Sequence, residues 1–358
     1  MVDVIVVGAG PAGSTTARHV ASWGLDVLIL EKRDEIGKPV QCGEFLADRE
    51  EVIGIFPQAK GLDELDTVPP EVVQRRIVGI KIFTPSGREN VIPFKGFTVN
   101  RDQLDKHLAS LAQEAGAEIA RGVVVQRLTG NEVVTDKGRY RAKVVVGADG
   151  PTSIIARSSG LQPPSGLSSA LTCQVDGDFE PYVEMHFGSV APGGYAWIIP
   201  KKKCANVGLG VWNRAESSRV RSLFNDFVSQ RGFIPRSIAG GQVPVSGPVD
   251  RTVLKNVLIV GDAAGHVMVT NGGGVNVALI CGRIAGECIA ANLLNNEPLQ
   301  RYEERWRAVV GSPLAVALRT KRLADKFFGS NRRLEFAMRL MGPKRMGRAI
   351  RCKRVFRR

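Results

Sequence analysis

A chain of 358 residues with 44% hydrophobic and 23% charged side chains can bury a large core, which excludes a disordered chain and argues against a string of small modules. The net charge of +14 sits at one end: residues 319–358 hold 15 Lys or Arg against two acids, Asp325 and Glu335, and the remainder is balanced to +1. Such an end suits an anionic membrane or a nucleic acid, or is a solvated helix face.

The six cysteines are scattered, with neither C-x-x-C nor zinc-like spacing, and suit a reduced, cytoplasmic setting. Val2 to Val7 is a short β-branched run of the buried parallel type that passes straight into glycine, so no leader is expected before it. A helix is expected from about Pro11 to Trp23, and Leu25 to Leu30 forms a second strand ending at Glu31, which makes the opening a β-α-β unit. Residues 77–94 read as a hairpin around Pro85-Ser86-Gly87, and Leu104, Leu108 and Leu111 predict a helix over 101–115. Val144 to Val146 and Val257 to Val260 return to the buried parallel type. Between them, residues 168–248 alternate short apolar runs with Gly and Pro, the pattern of an antiparallel sheet. The charge-free stretch Ala263 to Gly282 contains His266, Asn271, Asn276 and several glycines and is not read as a membrane span.

The strongest local signal is Gly8-Ala9-Gly10-Pro11-Ala12-Gly13, set between strand and helix, with Glu31 closing the next strand. Gly8 permits the tight turn, Gly10 lets backbone approach a pyrophosphate, and Gly13 lets helix pack on strand. The helix start offers free N–H groups to phosphate, and Glu31 is placed to accept from ribose hydroxyls. The motif alone does not separate one dinucleotide from another. The expected fold is α/β: a Rossmann-like, discontinuous dinucleotide-binding domain from 1–75, 95–165 and 250–295, an antiparallel-sheet substrate domain from 76–94 and 166–249, and a helical basic region over 296–358.

Val260-Gly261-Asp262-Ala263-Ala264-Gly265, followed by Gly272-Gly273-Gly274-Val275-Asn276, resembles the second flavin-binding motif of the p-hydroxybenzoate hydroxylase-like flavoproteins. The resemblance implies FAD, with Asp262 on the ribityl chain and the backbone near Gly274 and Val275 facing the ring. Asn100-Arg101-Asp102 and Gly147-Ala148-Asp149-Gly150 resemble two further segments of that group, and Arg101 is implied to reach the cofactor. Ala12 and Val125 are further expected among the cofactor-binding residues.

Pro192-Gly193-Gly194-Tyr195-Ala196-Trp197-Ile198-Ile199-Pro200 resembles the P-x-x-Y-x-W-x-F-P signature of the geranylgeranyl reductases, including the archaeal digeranylgeranylglycerophospholipid reductases, with Ile199 in place of Phe. Tyr195 and Trp197, two apart on a strand, point to one side. Lys38-Pro39-Val40-Gln41-Cys42-Gly43-Glu44 resembles that family's Cys-containing flavin loop, which implies Cys42 and Gly43 beside the ring. Cys42, Tyr195 and Trp197 are therefore the candidate catalytic residues, no metal is expected, and His266 is given no catalytic role.

The implied activity is saturation of isolated C=C bonds in geranylgeranyl chains of ether lipids by hydride from reduced flavin. An external donor, ferredoxin or NAD(P)H, is expected because one dinucleotide fingerprint is present. Leu334, Met338 and Met341 at helical spacing among Arg332, Arg333, Arg339, Lys344 and Arg345 suggest a peripheral hold on anionic membrane. A flavin monooxygenase and a basic-tailed RNA-binding flavoprotein are the competing readings. Few aromatics lie among the tail charges, so nucleic acid is not the expected partner.

Overall fold

The computed structural model describes residues 1–212 and 214–356; Arg357 and Arg358 of the basic tail lie outside them. In chain order, β1 (Val2–Val7), α1 (Pro11–Ala21) and β2 (Val27–Glu31) form the opening unit. β3 (Phe45–Ala47), α2 (Arg49–Ile55) and α3 (Asp63–Asp66) lead to a hairpin of β4 (Val73–Phe83) and β5 (Glu89–Val99). α4 (Arg101–Glu114) feeds β6 (Glu118–Arg121), β7 (Val125–Thr129), β8 (Glu132–Thr135) and β9 (Gly138–Gly147). After α5 (Ile154–Ser159) come β10 (Leu167–Asp176), β11 (Tyr182–His186), β12 (Tyr195–Pro200), β13 (Cys204–Val211), α6 (Val220–Ser229) and β14 (Arg236–Pro244). β15 (Val253–Leu254), β16 (Val257–Ile259), α7 (Val275–Asn295), α8 (Arg301–Trp306), α9 (Ser312–Ala324) and α10 (Asn331–Ile350) complete the chain.

Two sheets result. The first runs β15-β16-β9-β1-β2-β6, with β7 and β8 extending from β9. Its β1 pairs parallel with both β2 and β9, and β16 pairs parallel with β9, so segments more than a hundred residues apart build one buried sheet. The second runs β14-β10-β13-β12-β11-β4-β5-β3. Its pairings are antiparallel except that β11 lies parallel to β4, where the hairpin joins the sheet's inserted part. β3 was expected with the dinucleotide segment; it pairs with β5 and is the edge of the second sheet.

The long apolar α7 has the length and composition of a membrane-crossing helix, yet it lies inside the fold. Close packing on α1 explains its glycines: a Cβ at Gly282 would stand 2.8 Å from the Ala12 carbonyl, and one at Gly286 2.9 Å from that of Thr16. His266 is fully buried with its ring 4.6 Å from that of Trp306. Burial, with Arg307 nearby, pushes its imidazole down to about 3, so it is a neutral packing residue.

The basic C-terminal region differs most from expectation. Leu334 and Met338, read as part of a membrane-facing stripe, are buried against the body together with Met346 and Ile350. Burial of side chains of this size stabilises by roughly 2 kcal/mol each, so the apolar face holds α10 to the protein. Gly342, at φ 61°, kinks the helix before Pro343. Beyond the kink, Arg351 donates to both Glu51 carboxylate oxygens at 2.7 and 2.6 Å and lies 4.9 Å from the centre of the Phe94 ring. At the near end, Glu335 accepts from the Ser86 N–H at 3.0 Å and from Arg339 Nε at 2.7 Å.

Burial alone would raise the Glu335 carboxyl, but hydrogen bonds from Thr84, Arg339 and Ser86 outweigh it and hold the group at about 2, against an ordinary 4.5. A carboxyl lowered in the folded state adds stability above its unfolded pKa and loses it as pH falls through the folded one. The docking of α10 should therefore loosen between about pH 4.5 and 2. Cleavage by pepsin in the segment before α10 should rise across that window, and Glu335→Gln should expose the same segment to a neutral protease at pH 7. Equal digestion of wild type and variant at pH 7 would contradict this anchor.

Candidate active site

A cavity of about 440 Å³ lies between the two sheets. One side is made of backbone turns: Gly10 to Ala12, residues 148–151, Val260 to Asp262 and Gly272 to Asn276. The other is apolar, with Phe45, Phe94, Met185, Tyr195, Trp197 and Trp212 among its walls, and Ile350 of α10 closes one part of it. Loop 37–45 and Arg101 form the seam between the two halves.

The turns are set by close approach. Gly8 sits at φ 103°, and a Cβ there would collide with the Ala148 carbonyl; one at Gly13 would collide with the Gly8 carbonyl. Gly10 is the opposite case, because nothing lies within 4 Å of where its Cβ would point. That open space faces the start of α1, whose first N–H groups have no side-chain cap. Ala12 lines the cavity beside Gly261, where only small side chains fit. Glu31 is buried, and its two oxygens accept the N–H groups of Ala9 at 2.8 Å and Arg33 at 2.9 Å. It therefore braces the turn and keeps a lone pair on each oxygen.

Across the cavity, α7 also begins without a side-chain cap, at Gly274 and Val275. Gly274 lies beside the Asp262 carboxyl, where an added Cβ would stand at van der Waals distance, 3.4 Å, from Oδ1. Burial raises the Asp262 carboxyl to about 6, opposed by the charge of Arg101. Arg101 donates from Nε at 3.1 Å and Nη2 at 3.0 Å to Asp105. Burial disfavours its charge, but Asp105 and the Cys42 sulfur beside it outweigh that and raise its pKa. Two uncapped helix starts, a carboxyl and a cation converge on one cavity, a donor set that fits the phosphates, ribityl chain and ring edge of FAD.

Tyr195 and Trp197 share the cavity with ring centres 5.9 Å apart, and Trp212 stands edge-on to Tyr195 at 6.2 Å. The Tyr195 hydroxyl donates to the Asn271 carbonyl at 2.5 Å, and Asn271 Nδ2 in turn donates to the Ile350 carbonyl at 3.0 Å. Ile199, in the signature's Phe position, leans on Gly43, where a Cβ would come within 2.9 Å of its Cδ1. Cys42 is half-buried at the seam, its sulfur accepting the Glu44 N–H at 3.2 Å. Val125 does not join this group. Its side chain lies on β7 in the core cluster with Ile155 and Leu161, filling the space under α5.

Three residues that the motifs did not single out stand directly behind Cys42. Glu44, at φ 65°, carries a fully buried carboxylate that accepts from Lys201 Nζ at 3.1 and 3.0 Å, Asn206 Nδ2 at 3.0 Å, Gln174 Nε2 at 2.6 Å and the Arg101 N–H at 3.0 Å. Asn206 also donates to the Cys42 carbonyl at 2.9 Å and accepts from Trp197 Nε1 at 2.8 Å and Thr172 Oγ1 at 2.7 Å. Gly208 gives the Trp197 indole its place, since a Cβ there would run into the ring. Glu44 is the last residue of the quoted Cys42 motif, but Lys201 and Asn206 carry no local signal.

Gly10→Ala tests the cofactor fit. The protein has room for the added methyl, so the variant should fold with an unchanged Tm, while FAD affinity falls at least about 10-fold through obstruction of the phosphates. Wild-type FAD binding by Gly10→Ala would contradict the placement of the pyrophosphate at this turn.

Comparison with known proteins agrees with this geometry. Residues 168–240 match the family model of the geranylgeranyl reductase catalytic domain, and residues 3–40 match that of the FAD dependent oxidoreductases. The chain is 38% identical over 348 residues to digeranylgeranylglycerophospholipid reductase 2 of Methanothermobacter thermautotrophicus, covering 90% of this chain and 88% of that protein. It is 40% identical over 332 residues to digeranylgeranylglycerophospholipid reductase 1 of Methanopyrus kandleri, covering 85% of each. The crystal structure of a geranylgeranyl bacteriochlorophyll reductase-like protein from Thermoplasma acidophilum superposes with a TM-score of 0.80 at 28% identity, covering 94% of this chain and 90% of that one. With a dinucleotide turn, a flavin-type second motif and an aromatic cavity wall in one cleft, the chain belongs to the digeranylgeranylglycerophospholipid reductase family of FAD-dependent oxidoreductases.

Proposed function

We propose that this protein saturates isolated C=C bonds in the geranylgeranyl chains of an archaeal-type ether phospholipid, with Cys42 as the proton donor. The observation that carries the reading is the placement of an aromatic wall, Tyr195 and Trp197, in the same cavity as the cofactor turns, with Cys42 at the seam. When bound, FAD supplies the electron pair as hydride. An unactivated alkene develops no oxyanion, so the protein's part is to hold the chain, exclude water and place one proton. Tyr195, fixed by Asn271, and Trp197, fixed by Asn206, give the prenyl chain flat, rigid surfaces. The Cys42 sulfur stands beside the buried Arg101 guanidinium at the seam of the cavity. The chain holds one dinucleotide turn, so electrons are read as arriving from an external carrier, a ferredoxin or NAD(P)H.

The lipid substrate also calls for a surface. Leu334 and Met338 are spent on docking, but Phe336 and Leu340, one turn apart, are 63% and 60% exposed, and Phe356 is 55% exposed. Arg332, Arg333, Lys344 and Arg345 are exposed around them. Apolar side chains ringed by cations suit insertion among anionic headgroups, on the helix whose end, Ile350, reaches the cavity.

Cys42→Ala should keep stoichiometric FAD and lower the rate at which geranylgeranyl lipid reoxidises the dithionite-reduced protein by at least about 100-fold, the usual scale of a lost general acid. A rate equal to wild type would remove Cys42 from the mechanism. Sedimentation with anionic liposomes should be lost in Phe336→Ser with Leu340→Ser while FAD binding and Tm are kept; undiminished sedimentation would separate α10 from membrane attachment. Deletion of the tail is not an equivalent experiment, because it also opens the cavity at Ile350.

A further inference from the structure

We infer that the buried Glu44–Lys201 pair, with Asn206, is a positioning cluster that sets Cys42 for proton delivery. The inference rests on the role proposed above for Cys42. Lys201 and Glu44 have side chains only 5% and 2% exposed. A pair so placed gives up the solvation of both ions, and replacement by apolar side chains is often neutral or stabilising. Stability is therefore a weak reason for its presence, and its geometry suggests another.

The Glu44 carboxylate gathers donors from three separate places: the start of α4 through the Arg101 N–H, β10 through Gln174, and the β12–β13 hairpin through Lys201 and Asn206. These are the walls around Cys42. Glu44 sits two residues from Cys42, and its own N–H is given to the Cys42 sulfur. Asn206 holds the Cys42 carbonyl with one end of its amide and the Trp197 indole with the other. The sulfur and the aromatic surface on which the alkene would lie are thus referred to one amide and one carboxylate. Glu44 keeps its left-handed conformation, φ 65°, under this constraint, a conformation that is costly for a residue with a Cβ and that persists where surrounding bonds impose it. Positioning on this scale has kinetic weight, since a shift of about 1 Å in a reacting group can cost about 100-fold in rate.

Two variants test the inference. Glu44→Gln with Lys201→Met removes both charges together and leaves no unpaired ion. Asn206→Leu removes the tethers to Cys42 and Trp197 and keeps the pair. Both should bind FAD stoichiometrically, lose about 100-fold in reduction rate per bound flavin at saturating geranylgeranyl lipid, and change KM little. Peptide-resolved iodoacetamide labelling of Cys42, with and without FAD, should be faster in both, because the loop is released. Combined with Cys42→Ala, the Glu44→Gln and Lys201→Met pair should add almost no further loss, as expected for groups acting through one another. Full loss on top of Cys42→Ala, wild-type rates and labelling in both variants, or failure of both to bind FAD would overturn the positioning role, the last by making the cluster a folding element. Wild-type rates in Cys42→Ala alone would instead defeat the role of Cys42 on which the inference stands.

Discussion

Burying the Glu44 carboxylate against Lys201 takes two charges out of water, a cost of several kcal/mol per ion that must be met by their attraction and by further hydrogen bonds. Here it is met with Arg101, Gln174 and Asn206 as additional donors, so the carboxylate is satisfied from every side. The consequence is mechanical as much as energetic. The loop carrying Cys42 cannot move away from the second sheet without leaving a buried charge unpaired. The seam between the dinucleotide turns and the aromatic wall is thereby tied to the second sheet, at the place where the proposed proton delivery needs a fixed position.

The remainder of the site follows from the substrate's lack of polarity. An isolated double bond gives a protein nothing to hydrogen-bond, so recognition falls to shape and to flat apolar surface. Tyr195, Trp197 and Trp212 supply the surface, and each of the first two has its polar tip tied down by an asparagine residue. The C-terminal helix completes the enclosure through Ile350 and is held by Glu335 at one end and Arg351 at the other. The helix therefore has two faces: a buried one that docks on the body and ends at Ile350 in the cavity lining, and an exposed one that carries Phe336, Leu340 and the cations.

What could be read from the sequence was local. The Gly8 to Gly13 turn, Asp262 with its glycine loop, and the Tyr195–Trp197 pair are legible because the residues that create each feature lie within a few positions of one another, and spacing carries the physics. The Glu44 cluster was not legible, since Lys201 and Asn206 stand 157 and 162 residues away and only the fold brings them together. The tail misled for a related reason. An apolar stripe at helical spacing says that a helix has something to bury against, not whether that is lipid or protein; Leu334 and Met338 found protein. Val125, expected among the cofactor-binding residues, has its side chain in the core beneath α5. β3 is too short, at three residues, for its pattern to say which sheet it would join.

The function of this cavity is to pass the two electrons of a bound flavin to an isolated prenyl double bond. The most direct measurement is an anaerobic single turnover: protein reduced to one electron pair per FAD, mixed with equimolar geranylgeranyl ether lipid, and followed by flavin absorbance and by lipid mass. The expected result is one double bond saturated, a gain of two mass units, for each flavin reoxidised. Flavin that stays reduced in the presence of several such lipids, or that is reoxidised without saturation of the lipid, would contradict it.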